Sequence, residues 1–275
     1  MTRLTENDIQ NIPETLPAYD KLLISKTGHS LRQMACRAAG IEESRFQAAL
    51  KDRRVGVVPM TSGEGALKGF CATVSGIVRY LGAEVFMAEK TDAAGIAESV
   101  EARAHILLFA DDHRFIALDL EARKIVDNAV ATGSGFATGL TLMADSSPGI
   151  QTVLVLGCGP VGQSAVQTLI STGYRVAIYD IDSRAYIPML EAYGKGVEVV
   201  NDLETALHDH QLVLDATPSG AFILGKHVHR HAIVSAPGMP LGLDNAAQKV
   251  IADRLLHDPL QIGVATMLAS ILSIR

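Results

Sequence analysis

The sequence predicts an α/β protein: a helix-rich N-terminal α/β domain followed by a C-terminal domain of the Rossmann type. From residue 55 onwards, short apolar runs alternate with helical segments, which is typical of parallel strands connected by helices. In the second half, one apolar run leads directly into a glycine-rich turn that opens a helix. The stretch 145–149, an aspartate and two serines followed by Pro148 and Gly149, is the strongest linker signal. We therefore expect one domain over 1–147 and a second over 148–275.

Composition and charge narrow the class of protein. The 275 residues are 48% apolar and 5% aromatic, include no Trp, and carry a formal net charge of −6. Such a chain can build a large core but offers few aromatic platforms or basic patches to a nucleic acid. "MTRLTENDIQ" lacks the apolar core of a secretory signal, and "IGVATMLASILSI" is shorter than a bilayer-spanning helix. We expect a cytoplasmic protein that acts on a small molecule, with no nucleic acid and no membrane as a partner.

The first domain is predicted to begin with three helices. Thr5 is a candidate N-cap, Ser30 and Gln33 form a capping-box pattern, and Gly40 is a helix stop. The third helix is expected in "IEESRFQAALKD". The rest of the domain alternates strand and helix, ending in two strands and a helix: "VGVVPM", "GALKGFCATVSGIVRYLG", "EVFMA", "GIAESVEARA", "HILLFADD", "RFIALDL" and "NAVATGSGFATGLTLMA".

The second domain continues this alternation and ends in one apolar helix. Its predicted segments are "TVLVLG", a helix over 160–172, "RVAIYD", "YIPMLEAYG", "VEVV", "LETALHD", "LVLDAT" and "HAIVSAP". The last helix, 262–274, could cap its own domain, pack on the N-terminal domain or pack against a second copy. A homodimer therefore stays open.

The glycine turn at 157–162 is the candidate nucleotide site. Gly157, Gly159 and Gly162 have the spacing G-x-G-x-x-G between a buried strand and a helix, where backbone N–H groups and a helix N-terminus can approach a pyrophosphate. The next strand ends in Asp180, 23 residues after Gly157. A carboxylate there binds both ribose hydroxyls and repels a 2′-phosphate, which favours NAD over NADP. A strand–helix turn without a ligand is the alternative.

Other loops complete the expected cofactor site. Cys158, Pro160 and Val161 lie inside the glycine turn. A thiol at a helix N-terminus can have a lowered pKa, although a small filler is the commoner role at this position. Later strands end in "DATPSG" and "SAPGMP", and ligands of open α/β sheets lie beyond the carboxyl ends of the strands. We expect the nicotinamide end to contact five residues of these loops: Ala216, Thr217, Pro218, Pro237 and Gly238.

A second glycine turn, "PMTSGEGALKG" at 59–69, has a different chemistry. No Gly-Lys-Ser/Thr sequence completes a P-loop, and Glu64 would repel a pyrophosphate. The hydroxyls of Thr61 and Ser62, with the N–H groups of a helix start, suit a smaller anion such as a carboxylate. A Ser or Thr before a helix is equally explained as an N-cap. The residues alone leave both interpretations open.

Acids at strand ends are candidates for holding an amine or accepting a proton. Asp111 and Asp112 follow the strand "ILLFA", and Asp258 lies in a similar setting in "HDPLQIG". A solvated turn is the alternative for each. The histidines of "KHVHRH" have no cysteine or carboxylate nearby to complete a metal site, and the chain has no Cys-x-x-Cys pair, so we expect no metal.

Seven segments in the same order resemble the pyrrolysine synthase family, PylD. They are "VGVVPMTSGEG", "ILLFADDHRFIALDL", "VLVLGCGPVG", "VAIYDID", "DATPSG", "APGMP" and "DPLQIGVATML". The resemblance runs from about residue 55 to the C-terminus, and the first 50 residues match only in general character. It implies an N-terminal helix-rich domain joined to a Rossmann domain, with the substrate between them.

The resemblance also implies an activity, that of an NAD-dependent amine dehydrogenase. Such enzymes oxidise the terminal amine carbon of L-lysine-Nε-(3R)-methyl-D-ornithine, and the product condenses with the ornithyl α-amine to close the pyrroline ring of pyrrolysine. The substrate contacts fall on Thr61, Ser62, Gly63 and Asp111, with Ser62 and Asp111 as catalytic residues. Asp258, the third catalytic candidate, stands in "DPLQIG" where the family has "EPLGIG". Its shorter carboxylate leaves that role open.

Two other classes fit the same two-domain pattern. One is an NAD(P) oxidoreductase of the shikimate-dehydrogenase or methylene-tetrahydrofolate-dehydrogenase kind. Shikimate-type sites use a lysine–aspartate pair, and no convincing lysine stands at a strand end here. The other class is a non-catalytic NAD sensor, which would bind the nucleotide without turnover.

Overall fold

Residues 4–144 and 152–273 are described by a computed structural model, and the linker stretch at 145–149 lies outside them. Packing divides the chain into two units. The N-terminal unit comprises Leu4–Ile24, His29–Ala131 and the residues from Leu260 onwards, and the C-terminal unit comprises Ser25–Gly28 and Thr132–Pro259. Compared with the expected limits 1–147 and 148–275, residues 132–144 group with the second unit, and those from 260 onwards group with the first.

The described part of the N-terminal region has four helices instead of the three expected, the helix Ile12–Thr27 being additional, and two of them start at the predicted caps Thr5 and Ser30. Ser30 Oγ accepts a hydrogen bond from the Gln33 N–H (3.2 Å), and Gln33 Oε1 accepts one from the Ser30 N–H (3.0 Å), which satisfies two donors that the first turn leaves unpaired. At Thr5, the N–H and the hydroxyl both donate to Asp8 Oδ2 (2.8 and 2.6 Å), and the Asp8 N–H donates to the Thr5 carbonyl (3.1 Å). The helices are α1 (Glu6–Ile9), α2 (Ile12–Thr27), α3 (Leu31–Ala38) and α4 (Glu43–Lys51).

A five-stranded sheet forms the centre of the N-terminal unit. Its strands are β1 (Arg54–Val57), β2 (Glu84–Met87), β3 (Ile106–Ala110), β4 (Phe115–Asp119) and β5 (Lys124–Asp127), in the order β2-β1-β3-β4-β5. The helices α5 (Phe70–Tyr80) and α6 (Asp92–Glu101) connect the three parallel strands. β3, β4 and β5 are antiparallel because four-residue turns join them, too short for a crossover. β5 is an additional strand that the sequence pattern does not predict.

The helix expected from Gly65 begins five residues later. Residues Gly63–Ala66 form one turn of 3-10 helix, and Gly69 then adopts a left-handed conformation with φ +85°. Such a residue cannot continue an α-helix. The first glycine turn is therefore separated from α5.

The C-terminal unit is built on a six-stranded, fully parallel sheet. It contains α7 (Asn128–Ala144, from Thr132 on), β6 (Thr152–Leu156), α8 (Pro160–Ser171), β7 (Arg175–Tyr179), α9 (Ile187–Tyr193), β8 (Val197–Val199), α10 (Leu203–Asp209), β9 (Leu212–Asp215), β10 (Ile233–Ser235), α11 (Asn245–Ile251) and β11 (Leu255–Leu256). The strand order is β11-β10-β9-β6-β7-β8. The order reverses between β6 and β9, which is the switch point where doubly wound sheets bind ligands. The predicted α/β class with a Rossmann-type second domain is confirmed.

The last helix, α12 (Gln261–Ser273), is buried along most of its length. It contacts α3, α5, β4 and β5, all of them elements of the N-terminal unit. Its apolar composition is explained by this internal packing, without a second copy of the chain. Among the described residues, no helix combines the length and the apolar character needed to cross a membrane.

Candidate functional site

The glycine turn between β6 and α8 has the geometry of a phosphate loop. Gly157 has φ +88°, and a Cβ on Gly162 would lie 1.9 Å from the Gly157 carbonyl oxygen. A larger residue at either position would therefore distort the turn. A Cβ on Gly159 would meet no atom within 4 Å, and Gly159 is the N-cap of α8. The space beside a helix N-terminus is thus open to a ligand, as a pyrophosphate requires.

Asp180 lies directly beside this turn. β6 and β7 are neighbours, with Leu156 opposite Tyr179, so the strand-end acid reaches the loop. Asp180 Oδ2 accepts a hydrogen bond from the Cys158 N–H (2.7 Å), and Oδ1 accepts one from the Asp182 N–H (2.9 Å). The sequence spacing therefore corresponds to a real contact. The residues fit the ribose and pyrophosphate of a dinucleotide.

Cys158 is a filler rather than a reactive thiol in this structure. Its side chain is buried, and burial together with the charge of Asp180 raises its pKa to about 12. A thiolate is therefore not formed near neutral pH. Pro160 occupies the first turn of α8, where a missing N–H costs nothing. A Cβ on Gly133 of α7 would lie 2.2 Å from the Val161 carbonyl oxygen, so the helices α7 and α8 pack closely.

Two loops at the carboxyl ends of the strands converge on the glycine turn. A Cβ on Gly157 would lie 3.1 Å from the Ala216 carbonyl, and one on Gly238 would lie 2.1 Å from the Thr217 carbonyl oxygen. The loops containing Pro218 and Pro237 therefore meet the same edge as the glycine turn. Their contact with a nicotinamide stays a prediction.

Asp215, the last residue of β9, is a candidate site residue that the sequence pattern does not reveal. Its Oδ1 accepts hydrogen bonds from the N–H (3.1 Å) and the hydroxyl (2.7 Å) of Thr217. The side chain is fully buried, and burial raises its pKa to about 6. The only signal is an acid at the end of the apolar run "LVLD", a pattern shared with ordinary strand ends.

In the N-terminal unit, the first glycine turn and the end of β3 are in contact. A Cβ on Gly63 would lie 2.1 Å from the Asp111 carbonyl carbon, and one on Gly65 would lie 2.2 Å from the Ala110 carbonyl oxygen. Glycine is therefore required at both positions for the turn to lie against the strand end. The structure therefore places the turn that contains Thr61, Ser62 and Gly63 against Asp111, through the contact of Gly63 with the Asp111 backbone.

Thr61 and Ser62 have different environments. The N–H and hydroxyl of Thr61 donate to the two carboxylate oxygens of Asp92 (3.0 and 2.9 Å), which lowers the pKa of Asp92. The Thr61 hydroxyl proton is therefore already committed to a residue far away in the sequence. Ser62 is exposed and, among the described residues, makes no side-chain capping bond. The N-cap interpretation is therefore not supported for Ser62, and its hydroxyl can bind a ligand.

The acids of this unit differ in basicity. Asp111 Oδ1 accepts hydrogen bonds from the N–H groups of Arg114 and His113 (2.8 Å each), and these bonds lower its pKa. Asp111 is thus an anion suited to binding an ammonium group but is a weak base. Glu64 is partly buried, and burial raises its pKa. Asp112 is exposed.

Asp258 belongs to the C-terminal unit, two residues after β11. It is 3% exposed and has a partner within the chain. The neighbouring His257 ring bonds to the Ala236 carbonyl (2.6 Å), which holds this segment beside the end of β10. The catalytic role suggested for Asp258 stays a prediction.

The histidines of "KHVHRH" do not converge on one point in the structure. The rings of His229 and His231 are 5.8 Å apart, and His227 lies 3.3 Å from the Glu204 carboxylate. Within 4–144 and 152–273, no three potential metal ligands come close enough to share an ion.

Solved structures with a similar fold include dehydrogenases in complex with NAD or NADP(H). Quinate dehydrogenase from Corynebacterium glutamicum, in complex with NAD, superposes with a TM-score of 0.56 at 15% identity, over 81% of this chain and 93% of that one. Shikimate 5-dehydrogenase from Thermus thermophilus, in complex with NADP(H) and shikimate, gives 0.52 at 16% identity, over 81% and 93%. At these identities the likeness establishes the fold only.

Sequence comparison identifies a family. Residues 8–126 match the model described as "Pyrrolysine biosynthesis protein PylD, N-terminal domain". The chain is 30% identical over 274 residues to a pyrrolysine synthase from Methanosarcina barkeri, covering 99% of this chain and 98% of that one. The family resemblance drawn from the seven segments is confirmed. The chain belongs to the pyrrolysine synthase family, PylD, and thus to the enzymes of pyrrolysine biosynthesis.

Proposed function

We propose that this protein is an NAD-dependent amine dehydrogenase. It oxidises the terminal amine carbon of L-lysine-Nε-(3R)-methyl-D-ornithine and yields pyrrolysine after ring closure. The observation that carries the proposal is the pairing of the open glycine turn with the Asp180 carboxylate, 2.7 Å from the Cys158 N–H. Membership of the pyrrolysine synthase family supplies the substrate class.

The C-terminal unit would hold the cofactor. Gly157, Gly159 and Gly162 would surround the pyrophosphate, and Asp180 would accept the ribose hydroxyls. When bound, NAD supplies the acceptor for the hydride that leaves the amine carbon. A carboxylate in the place of Asp180 opposes a 2′-phosphate, because two anions would then be close together in a partly buried site. This charge effect supports NAD over NADP.

The N-terminal unit would hold the substrate. The substrate has both ammonium and carboxylate groups, so it needs contacts of both kinds. Asp111 stays ionised because two N–H groups bind its Oδ1, and it suits an ammonium group. Ser62, exposed and without a side-chain capping bond among the described residues, suits a carboxylate or the reacting amine.

The chemistry requires the reacting amine to be neutral. As the hydride leaves carbon, the nitrogen lone pair forms the C=N bond of an imine, and one proton must be removed from the ammonium group beforehand. Asp111 has a lowered pKa and is therefore a weak base, so its role is to orient the ammonium group and not to accept the proton. Glu64, in the same turn, has a raised pKa and is better matched as the proton acceptor. Attack of the ornithyl α-amine on the imine carbon then expels ammonia and closes the ring.

The test uses purified protein, NAD and synthetic lysyl-methylornithine, with NADH absorbance as the readout. We expect turnover by the wild type and a fall in kcat/KM of about 100-fold or more in Asp111→Asn. Asp112→Asn is the matched control, since its exposed side chain neighbours the same turn, and its kcat/KM should stay within about twofold of wild type. No NADH formation by protein that binds NAD would refute the proposed activity.

The proton acceptor is tested separately. In Glu64→Gln, the rise of kcat with pH should be lost or displaced, while the Kd for NAD stays that of the wild type. An unchanged pH profile would remove Glu64 from the proton transfer and leave the rest of the proposal in place.

A further inference from the structure

Asp215 is a fully buried acid inside the candidate nucleotide site. Oδ1 accepts both donors of Thr217, at 3.1 and 2.7 Å. Oδ2 is shielded from solvent and has no hydrogen-bond partner among the described residues. A buried carboxylate oxygen without a partner is costly while the group is ionised. The environment of Asp215 therefore disfavours the ionised form of its carboxyl group.

Among the described residues, no charged group compensates the charge of Asp215, since burial and the Thr217 hydrogen bonds are the causes of its pKa shift. It lies on β9 between β6 and β10, with Leu156 opposite it on β6. A Cβ on Gly242 would lie 2.0 Å from Oδ2, so the segment 236–242 closes over the carboxyl group. Neither β6, β10 nor this segment carries a titratable residue. The glycine turn adds Cys158, a neutral thiol whose pKa is raised to about 12, and the Asp180 carboxylate beside the turn has the same sign of charge as an ionised Asp215.

Three loops of the nucleotide site meet around Asp215. Its backbone carbonyl accepts a hydrogen bond from the Gly238 N–H (3.3 Å), and its side chain fixes Thr217. The carbonyl of Ala216 is 3.1 Å from the position of a Cβ on Gly157. The carboxyl group therefore orders the loop that supports the phosphate-binding turn. Protonation of this carboxyl group would therefore affect the loop that contains Thr217. It would also remove a negative charge close to the glycine turn.

We propose that Asp215 is a positioning residue for the dinucleotide, whose neutral carboxylic acid form is the one that binds NAD tightly. In this form Oδ1 still accepts the two Thr217 donors, and the unpartnered oxygen carries a proton instead of a negative charge. The ionised form places an uncompensated anion close to the loop that receives a pyrophosphate. Its carboxyl pKa of about 6 places the exchange between the two forms near neutral pH. The inference rests on the proposed function, because it needs a dinucleotide in this site.

The direction of the linkage follows from the charges. A bound pyrophosphate disfavours the Asp215 anion, so the carboxyl group takes up a proton when NAD binds above its pKa. NAD affinity should then fall as the pH rises from 5 to 8. If bound NAD raises the pKa by about one unit, the loss approaches about tenfold. Asp215→Asn keeps an oxygen acceptor for Thr217 and removes the charge, so its affinity should not change with pH.

The experiment is calorimetric titration of NAD into wild type and Asp215→Asn between pH 5 and 8. Each titration is repeated in two buffers of different ionisation enthalpy, which reports the protons taken up. We expect a fraction of one proton taken up by the wild type near pH 6.5, none by the variant, and tighter binding by the variant at pH 8. The histidines and the remaining acids are common to both proteins, so the difference in proton uptake between the two proteins reports Asp215 alone.

Three results would overturn the inference. They are an absence of proton uptake by the wild type, the same pH dependence in both proteins, and loss of binding by a folded Asp215→Asn at every pH. If the variant does not fold, proton uptake by the wild type still decides, since it needs no substitution. Failure of the wild type to bind NAD at any pH would instead contradict the proposed function itself.

Discussion

Replacing Asp215 by Asn should change the pH dependence of stability by a predictable amount. The side chain is fully buried, and burial raises its pKa from an ordinary value of 3.8 to about 6. The folded state therefore binds more protons than the unfolded state between these two values. The stability that this group contributes falls as the pH rises through that window and is constant above about pH 7. Across the window the penalty is about 3 kcal/mol.

Amide hydrogen exchange in β6 and β9 measures this loss of stability within the C-terminal unit, where Asp215 lies. Comparing the two proteins at each pH cancels the intrinsic exchange rates and every other titrating group. The opening free energy of Asp215→Asn relative to wild type should increase by about 2.4 kcal/mol from pH 4 to pH 7, because part of the full effect lies below pH 4. The amide nitrogen of Asn shifts the opening free energy of the variant by an amount that does not depend on pH, and this leaves the predicted increase unaffected.

A flat difference between the two proteins would refute this reasoning. It would mean that the Asp215 carboxyl group finds a compensating partner, such as an ordered water on Oδ2. A difference of the opposite sign would mean that its pKa is lowered, as for a carboxylate that is well satisfied by hydrogen bonds.

Three further predictions concern the two glycine turns. Asp180→Ala should weaken NAD and raise the relative use of NADP, measured as the ratio of the two Kd values; an unchanged ratio would remove Asp180 from the ribose contact. Gly63→Ala combines φ +61° with a Cβ placed 2.1 Å from the Asp111 carbonyl carbon, so it should lower stability by about 3 kcal/mol or more and abolish turnover. Gly40→Ala has a similar φ of +64° in open space and should cost only about 1 kcal/mol in thermal unfolding; equal losses in both variants would deny the contact. Iodoacetamide at pH 8 should leave NAD binding intact, because the buried Cys158 thiol has a pKa of about 12; rapid inactivation that Cys158→Ala prevents would show a reactive thiol.

The strongly patterned parts of the fold were predictable from the sequence. The alternation of apolar strands and helices in the second half appears as the parallel sheet, and the glycine spacing with Asp180 corresponds to a hydrogen bond across β6 and β7. Capping at Ser30 was also predictable, because the pattern and the bond are both local. These features depend on residues that are near one another in the chain or on adjacent strands.

Long-range contacts were not predictable in the same way. Asp92 binds Thr61 across 31 residues and adopts a positive φ that no local pattern indicates. The late start of α5 depends on the conformation of Gly69, which the apolar periodicity does not reveal. Asp215 could not be distinguished from an ordinary strand-end acid, because its importance comes from burial by the segment 236–242.

The roles of the first glycine turn became clearer in the structure. Local sequence allowed either a helix cap or an anion site for Thr61 and Ser62. The structure shows that the Thr61 hydroxyl donates to Asp92, while Ser62 has no side-chain capping bond among the described residues. The fixed contact of Gly63 with Asp111 then makes Ser62 and Asp111 the paired candidates for substrate binding.

The most direct measurement is the stoichiometry of the complete reaction. Purified protein is mixed with NAD and lysyl-methylornithine, NADH is followed by its absorbance, and the product is identified by mass spectrometry. We predict one NADH and one released ammonia for each pyrrolysine formed. Protein that binds NAD but forms neither NADH nor pyrrolysine from this substrate would contradict the proposed function.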